Sequence, residues 1–222
     1  MSITKRLWLG LAALLIASFA VMAWLGVDLV HTAPPIPNRV IAANGQVLYT
    51  RADIERGRQV WQSIGGQQLG SIWGHGALLA PDWSADWLHR ETEAMLELQA
   101  RSDAGQSYAS MEAGDQAKTQ ASVKPLIRTN TLDANKQDIV VSNMRAQAIS
   151  NVAAHYESVF SNDPSTHALR EAYAMRENTV PDAENRRAMT AFFFWTAWAA
   201  STDRPGETHR TYTNNWPYEP LI

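Results

Sequence analysis

The chain carries six histidines, His31, His75, His89, His155, His167 and His209, and no cysteine. Without cysteine there are no disulfides, no thiolate nucleophile, no Cys-ligated zinc, no iron–sulfur cluster and no thioether-attached haem. The histidines form no H-x-x-x-H or H-E-x-x-H pair of the kind that marks a zinc site. His75, between Gly74 and Gly76, sits in a glycine-rich stretch, "SIGGQQLGSIWGHGALLAPDWSADWLH", Ser63 to His89. Such loops can cradle phosphate, but phosphate loops carry a Lys, and none lies between Arg58 and Arg90, nor any Arg. A lone histidine in a tight loop is more often bonded to a neighbour than to a metal. His89 and the carboxylates Glu91, Glu93 and Glu97 read as a solvated helix face. There is no G-x-S-x-G for a serine hydrolase. The residues alone therefore offer no convincing active site.

The elements that must position these residues divide into an anchor and a larger unit. With 222 residues the chain suits one moderate domain plus an appendage. A net charge of −3 gives no basic face for nucleic acid, so no nucleic-acid partner is expected. Nine tryptophans point to packing against apolar surfaces or a membrane interface. From Leu7 to Gly26 no residue is charged, close to the roughly 20 residues needed to cross a bilayer core. Trp8 and Trp24 stand near the two ends of this run, roughly 24 Å apart on a helix, as interfacial aromatics do. The run is longer than the apolar core of a cleaved signal peptide, which favours a retained transmembrane anchor over residues 1–30. Lys5 and Arg6 before it place the N-terminus in the cytoplasm and the rest outside. A stiff spacer, "HTAPPIPN", residues 31–38, follows.

Beyond it the pattern is mainly helical. "RVIAANGQVLYT" reads as a hairpin turning at Asn44-Gly45. Thr50 and Asp53 read as an imperfect capping box for a helix that stops at Gly65-Gly66. A second helix starts near Asp82 or Ser84. Residues 101–124 are polar and read as a mobile insertion with some helix. "TLDANKQDIVVS" suggests a small hairpin or strand. Ser142 caps a third helix and Asp163-Pro164 begins a fourth. The last helix, Pro181 to Ser201, is apolar on nearly all sides from Met189 to Ala200. That run is too short to span a membrane, so it is expected to be buried or docked on a partner.

The segments "GRQVWQSIGGQQLGSIWGHGALLAPDWSADWLHRE", "RENTVPD", "AFFFWTAWAASTDRPG" and "YTNNWPYEPLI" resemble the N-terminal part of bacterial quinol-dependent nitric oxide reductases. The likeness covers essentially the whole chain, most loosely over residues 100–140. In that family this part is similar to the membrane-anchored cytochrome c subunit of two-subunit nitric oxide reductases. The fold implied is therefore a single N-terminal transmembrane helix followed by a cytochrome c-like, mainly α, periplasmic domain over 39–222 that lacks haem. The related subunit carries C-x-x-C-H and then a loop G-x-G-A-x-x-A-P. Gly74, Gly76, Ala77, Ala80 and Pro81 match that loop, and counting back places the haem motif on "GQQLG". Gly66 and Leu69 then stand where the cysteines would, Gly70 where the proximal histidine would, and Val180 where a distal methionine would. None of these four can ligate haem, so no cofactor is expected within the chain. Trp61, Trp73 and residues of "FFFW" are the candidates to fill the space.

The resemblance also implies the function. Family enzymes couple two NO molecules, with two electrons and two protons, to N2O and water. They use haem b, haem b3 and a non-haem iron in a polytopic helical bundle. With a single span and no histidine inside it, this chain holds no catalytic residue of that centre. It is expected to cap the outer face of the bundle, which belongs to the same polypeptide or to a separate subunit, in the bacterial inner membrane. The contact is assigned to Trp73, Gly74, His75, Gly76, Ala77 and Pro81. Calcium is a candidate metal, held through backbone oxygens of Gly76 and Leu78. Electrons come from a membrane quinol, and a homodimer is left open. The rival reading is a single-span anchored interaction module of another membrane complex.

Overall fold

The computed structural model describes residues 2–207 and 210–213. His209 and the end of the "YTNNWPYEPLI" stretch, 214–222, lie outside the described residues. The chain divides into two units, 1–35 and 36–222.

The first unit is one helix, α1, Ile3–Thr32. Ser2 caps it by accepting from the Lys5 amide. It runs slightly past the expected end at residue 30, because Thr32 bonds back to the Asp28 carbonyl and the Pro34-Pro35 pair then forbids a further turn. Its leucines, valines and tryptophans are exposed along the whole length. It is long and apolar enough to cross a membrane.

The second unit is mainly helical. Strands β1 (Arg39–Ala42) and β2 (Val47–Thr50) form the expected antiparallel hairpin, with Gly45 at φ +91° in the turn. Strand β5, Asp138–Val141, adds to the free edge of β1 in parallel, pairing Val40 with Ile139. The sheet order is β2-β1-β5. Thr50 and Asp53 make a complete capping box at the start of α2, Arg51–Ser63. Helix α4 is Trp83–Ala104, capped by Asp82; α5 is Ala113–Arg128; α6 is Asn143–Val159, capped by Ser142. A 3-10 turn at Pro164–Thr166, capped by Asp163, leads into the short α7, His167–Ala172. Helix α8, Ala183–Ser201, is the centre of the unit: every residue from Ala188 to Ser201 is buried. Helix α2 packs along it so closely at Gly57 that a Cβ there would lie 2.0 Å from the Ala188 carbonyl oxygen. Helices α4 and α6 cover its other sides.

Two expectations need correction. The first concerns packing in residues 101–124, read as a mobile insertion with some helix: two of them, Thr119 and Val123, are buried. They hold the end of α4, a 3-10 turn at Tyr108–Ser110 and most of α5, whose stripe of Thr119 and Val123 continues to Ile127 beyond the segment. These buried residues fall at helical spacing, i, i+4, and so suffice for one buried stripe despite the polar composition. Glu91 does not belong to a solvated face either. Its side chain is 1% exposed and pairs with Arg145, 2% exposed, at 2.6 Å. The Trp87 indole N–H donates to its second oxygen at 2.8 Å, and Arg145 also donates to the Leu126 carbonyl at 2.9 Å. The guanidinium stands 6.0 Å from the Phe194 ring centroid. This cluster ties α4, α5, α6 and α8 together.

Removing one partner of a buried, hydrogen-bonded pair strands the other charge. Glu91→Ala is expected to lower unfolding free energy by about 3–5 kcal/mol, read by denaturant titration of the purified chain. A loss below about 1 kcal/mol, as exposed pairs give, would show that the pair is not buried in solution.

Candidate functional site

The glycine-rich stretch begins where α2 ends. Ile64 closes α2, and Gly65 reverses the chain at φ +69°, the left-handed conformation that ends many helices. A single helical turn, α3 (Gly66–Leu69), follows, and then Gly70 in extended conformation. Strands β3 (Ser71–Ile72) and β4 (His75–Gly76) form a tight hairpin, pairing Ser71 with Gly76 and Ile72 with His75. Its turn holds two residues with positive φ, Trp73 at 52° and Gly74 at 77°.

Asp82 locks this hairpin to the start of α4. One carboxylate oxygen accepts from the Ser71 hydroxyl and the Gly74 amide, both at 2.7 Å. The other accepts from the amides of Ser84 and Ala85 at 3.0 Å, satisfying donors that a helix start leaves open. Trp73 adds a second tie: its indole N–H donates to the Thr196 carbonyl at 2.8 Å, and its ring meets Trp195 at 5.5 Å. The loop beyond is held by hydrogen bonds: the Ala77 amide donates to the Gln67 carbonyl and the Ala80 amide to the Leu69 carbonyl, each at 2.7 Å. Gly76, at φ +149°, has its Cα face against Gly70; a Cβ would lie 2.4 Å from the Gly70 carbonyl oxygen. Both the backbone angle and the close approach require glycine.

Of the four positions singled out as haem attachment points, Gly66, Leu69 and Gly70 fall in the packed base of this loop, and Val180 lies in the segment before α8. The Trp61 ring lies against Gly66, where a Cβ would come within 2.3 Å of its indole nitrogen. Trp83 lies against Gly70 in the same way, at 2.6 Å, with the Pro81 carbonyl at 2.5 Å. Leu69 is half-buried against the core, and Val180 is buried, its amide donating to the Phe160 carbonyl at 3.0 Å. The indole N–H groups of Trp61 and Trp83 have no hydrogen-bond partner among the described residues, so packing alone seats both rings.

Trp83 is the centre of an aromatic cage. It stacks on Phe193 at 5.6 Å and 11°, meets Phe160 at 5.4 Å, and takes Tyr156 and Tyr173 edge-on at 6.0 Å. Tyr156 also stacks on Trp87 at 5.4 Å. Its hydroxyl donates to Asp86, whose carboxylate also accepts from Arg90 at 2.8 Å. Burial first, and then the Asp86 charge, pushes the Tyr156 phenol well above its usual range, so it stays a neutral donor. Of the side chains named as candidates, Trp61 meets Phe192 at 5.8 Å, Phe193 stacks on Trp83, and Phe194 is buried beside Trp87. Trp73 sits at the rim with Trp195, and Trp83 is an addition to the expected set. Its sequence signal is its place directly after the N-cap Asp82, where the ring turns back toward the preceding loop.

The residues assigned to an interface separate by exposure. Gly74, His75 and Gly76 are exposed with Leu78 and Leu79, while Trp73, Ala77 and Pro81 are half-buried. Among the described residues no three His, Cys, Asp or Glu side chains gather as a metal site would need.

Two substitutions test this geometry by thermal and denaturant unfolding. Trp83→Ala should cost roughly 3–5 kcal/mol, as large buried aromatics do. Gly76→Val should cost about 1–3 kcal/mol from the backbone angle alone. An unchanged midpoint for either would mean that the loop base is not packed as described.

The family model of the NorB cytochrome c-like domain of nitric oxide reductase matches residues 37–218. That range takes in the hairpin, the loop, the aromatic cage and α8. No curated protein matches the chain. With nearly all of the 36–222 unit inside the match, the chain belongs to the NorB cytochrome c-like domain family of nitric oxide reductase.

Proposed function

We propose that this chain is a non-catalytic portion of a quinol-dependent nitric oxide reductase, in which a cytochrome c-like domain without haem c covers the outer face of the membrane-embedded catalytic part. The observation that carries this reading is the seating of Trp61 on Gly66 and of Trp83 on Gly70. A covalently held haem needs two thiols and an imidazole. The residues present do not fit that group, because 66, 69 and 70 are Gly, Leu and Gly, and two indoles occupy the directions in which side chains at 66 and 70 would project. A domain without that group offers no redox centre of this type to a soluble cytochrome. Electrons then enter from a quinol in the membrane, and the haem b, haem b3 and non-haem iron of the reductase belong to its polytopic bundle.

In this reading α1 is the anchor, and Lys5 and Arg6 orient the chain with its larger unit on the periplasmic side of the inner membrane. The loop around Gly74–Pro81 is the contact with the bundle. It is held by Asp82, Trp73 and the amides of Ala77 and Ala80, so it meets a partner preorganised. Calcium at this contact, through the carbonyls of Gly76 and Leu78, fits the oxygen preference of that ion; the partner would supply the negative charge.

The test is purification of the assembly from its own membranes. Bound b-type haem and quinol-driven NO consumption are expected. A c-type haemochrome on this domain would overturn the reading, as would a stable colourless chain with no polytopic partner or continuation. Gly66→Cys with Leu69→Cys and Gly70→His, made in a host that matures c-type cytochromes, is expected to gain no covalent haem while Trp83 remains in place. Stoichiometric attachment in that variant would show that the cage yields to the cofactor.

A further inference from the structure

Tyr156 ties α6 to α4 twice. Its ring stacks on Trp87 at 5.4 Å, and its hydroxyl donates to Oδ2 of Asp86. That same oxygen accepts from the Arg90 Nε at 2.8 Å. Tyr156 and Arg90 therefore share one oxygen of one carboxylate. The next side chain on α6, His155, completes the cluster. It is half-buried, and its imidazole meets the Tyr156 ring edge-on at 5.3 Å and 71°.

The charged groups that act on His155 are Arg90 and Asp86, both from α4. The same two act on Tyr156 and on Tyr173 at the end of α7. Burial raises both phenols, so α6 and α7 bring neutral hydroxyls to the cluster. From α8 the ring facing Tyr156 is Phe193, which carries no charge. The cluster thus holds one anion, and two donors already use it. Burial first, and then the Arg90 cation, hold the His155 imidazole below its ordinary value of 6.5, with Asp86 opposing in part. We infer that His155, Arg90 and Asp86 form an acid-sensitive clasp between α6 and α4: a proton on the imidazole adds a second cation at a carboxylate that already serves Arg90 and Tyr156, and weakens the hold of α6 on α4. This concerns the stability of the 36–222 unit and does not depend on the function proposed above.

The sign follows from linkage. The folded chain keeps the imidazole neutral, so the unfolded chain takes the proton first. The stability is full above the ordinary imidazole value of 6.5 and is lost as pH falls below it. One proton changes the folding constant by at most about tenfold per pH unit. The experiment is denaturant titration of the full chain in detergent across this range, with His155→Gln as the variant. The ratio of the variant's folding constant to the parent's should rise as the pH falls below 6.5, by up to about tenfold per pH unit. A ratio that does not change with pH would overturn the inference. In an Arg90→Gln background the ratio should rise less, because the second cation is gone. An equal rise there would show burial acting alone and would overturn the clasp. Should His155→Gln fail to fold, the His155 ring protons titrated by NMR in the parent chain decide: a midpoint below 6.5 that moves up in Arg90→Gln is expected, and a midpoint at or above 6.5 overturns the inference.

Discussion

Trp83 lies face to face with Phe193, edge to face with Tyr156 and Tyr173, and flat against the Cα of Gly70. Protein interiors are close-packed, and a void the size of a missing group is destabilising. In this loop the constraint is met by aromatic side chains packed onto two glycines. The indoles can pack there only because the residues beneath are glycines: any side chain at 66 or 70 would collide with Trp61 or Trp83. The two glycines and the two indoles are thus one arrangement, and the rest of the loop is built upon it.

Around this base, polar groups serve position rather than chemistry. Asp82 accepts four hydrogen bonds, two from the hairpin and two from the first turn of α4. Trp73 bonds α8, and Asp86 bonds both Tyr156 and Arg90. The buried Glu91–Arg145 pair, with Trp87 and the Leu126 carbonyl, fixes α4, α5 and α6 about α8. Such a pair adds little net stability against an apolar pair of the same shape. Its geometry does fix how the four helices meet.

Several features were legible in order along the chain. The Asn44-Gly45 hairpin, the caps at Thr50, Asp82, Ser142 and Asp163, and the helix end at Gly65 are local events, set by side chains within a few residues of each other. The first helix is equally local, since length and lack of charge suffice to make it long and apolar enough to cross a membrane. The apolar run of "AFFFWTAWAA" announced burial on all sides, and α8 is so buried.

What lay beyond the sequence was long-range. Strand β5 pairs with β1 across about a hundred residues, and nothing local specifies parallel addition to that edge. Polar composition hid the stripe of Thr119, Val123 and Ile127 in α5, because three buried residues are enough for a helix that packs on one side. Glu91 looked solvated because its partner, Arg145, is on another helix. Trp83 looked like one more helix residue because its neighbours, Gly70, Phe160 and Phe193, come from three other segments. The sequence by itself determined the long apolar first helix, most caps and turns, and the absence of any thiol at 66 and 69 or imidazole at 70, since these follow from residue identity and near-neighbour geometry. Only the tertiary structure decided which rings fill the space above Gly66 and Gly70 and which leucines stand in water. Burial is a property of the assembled chain, fixed by contacts whose members are far apart in sequence.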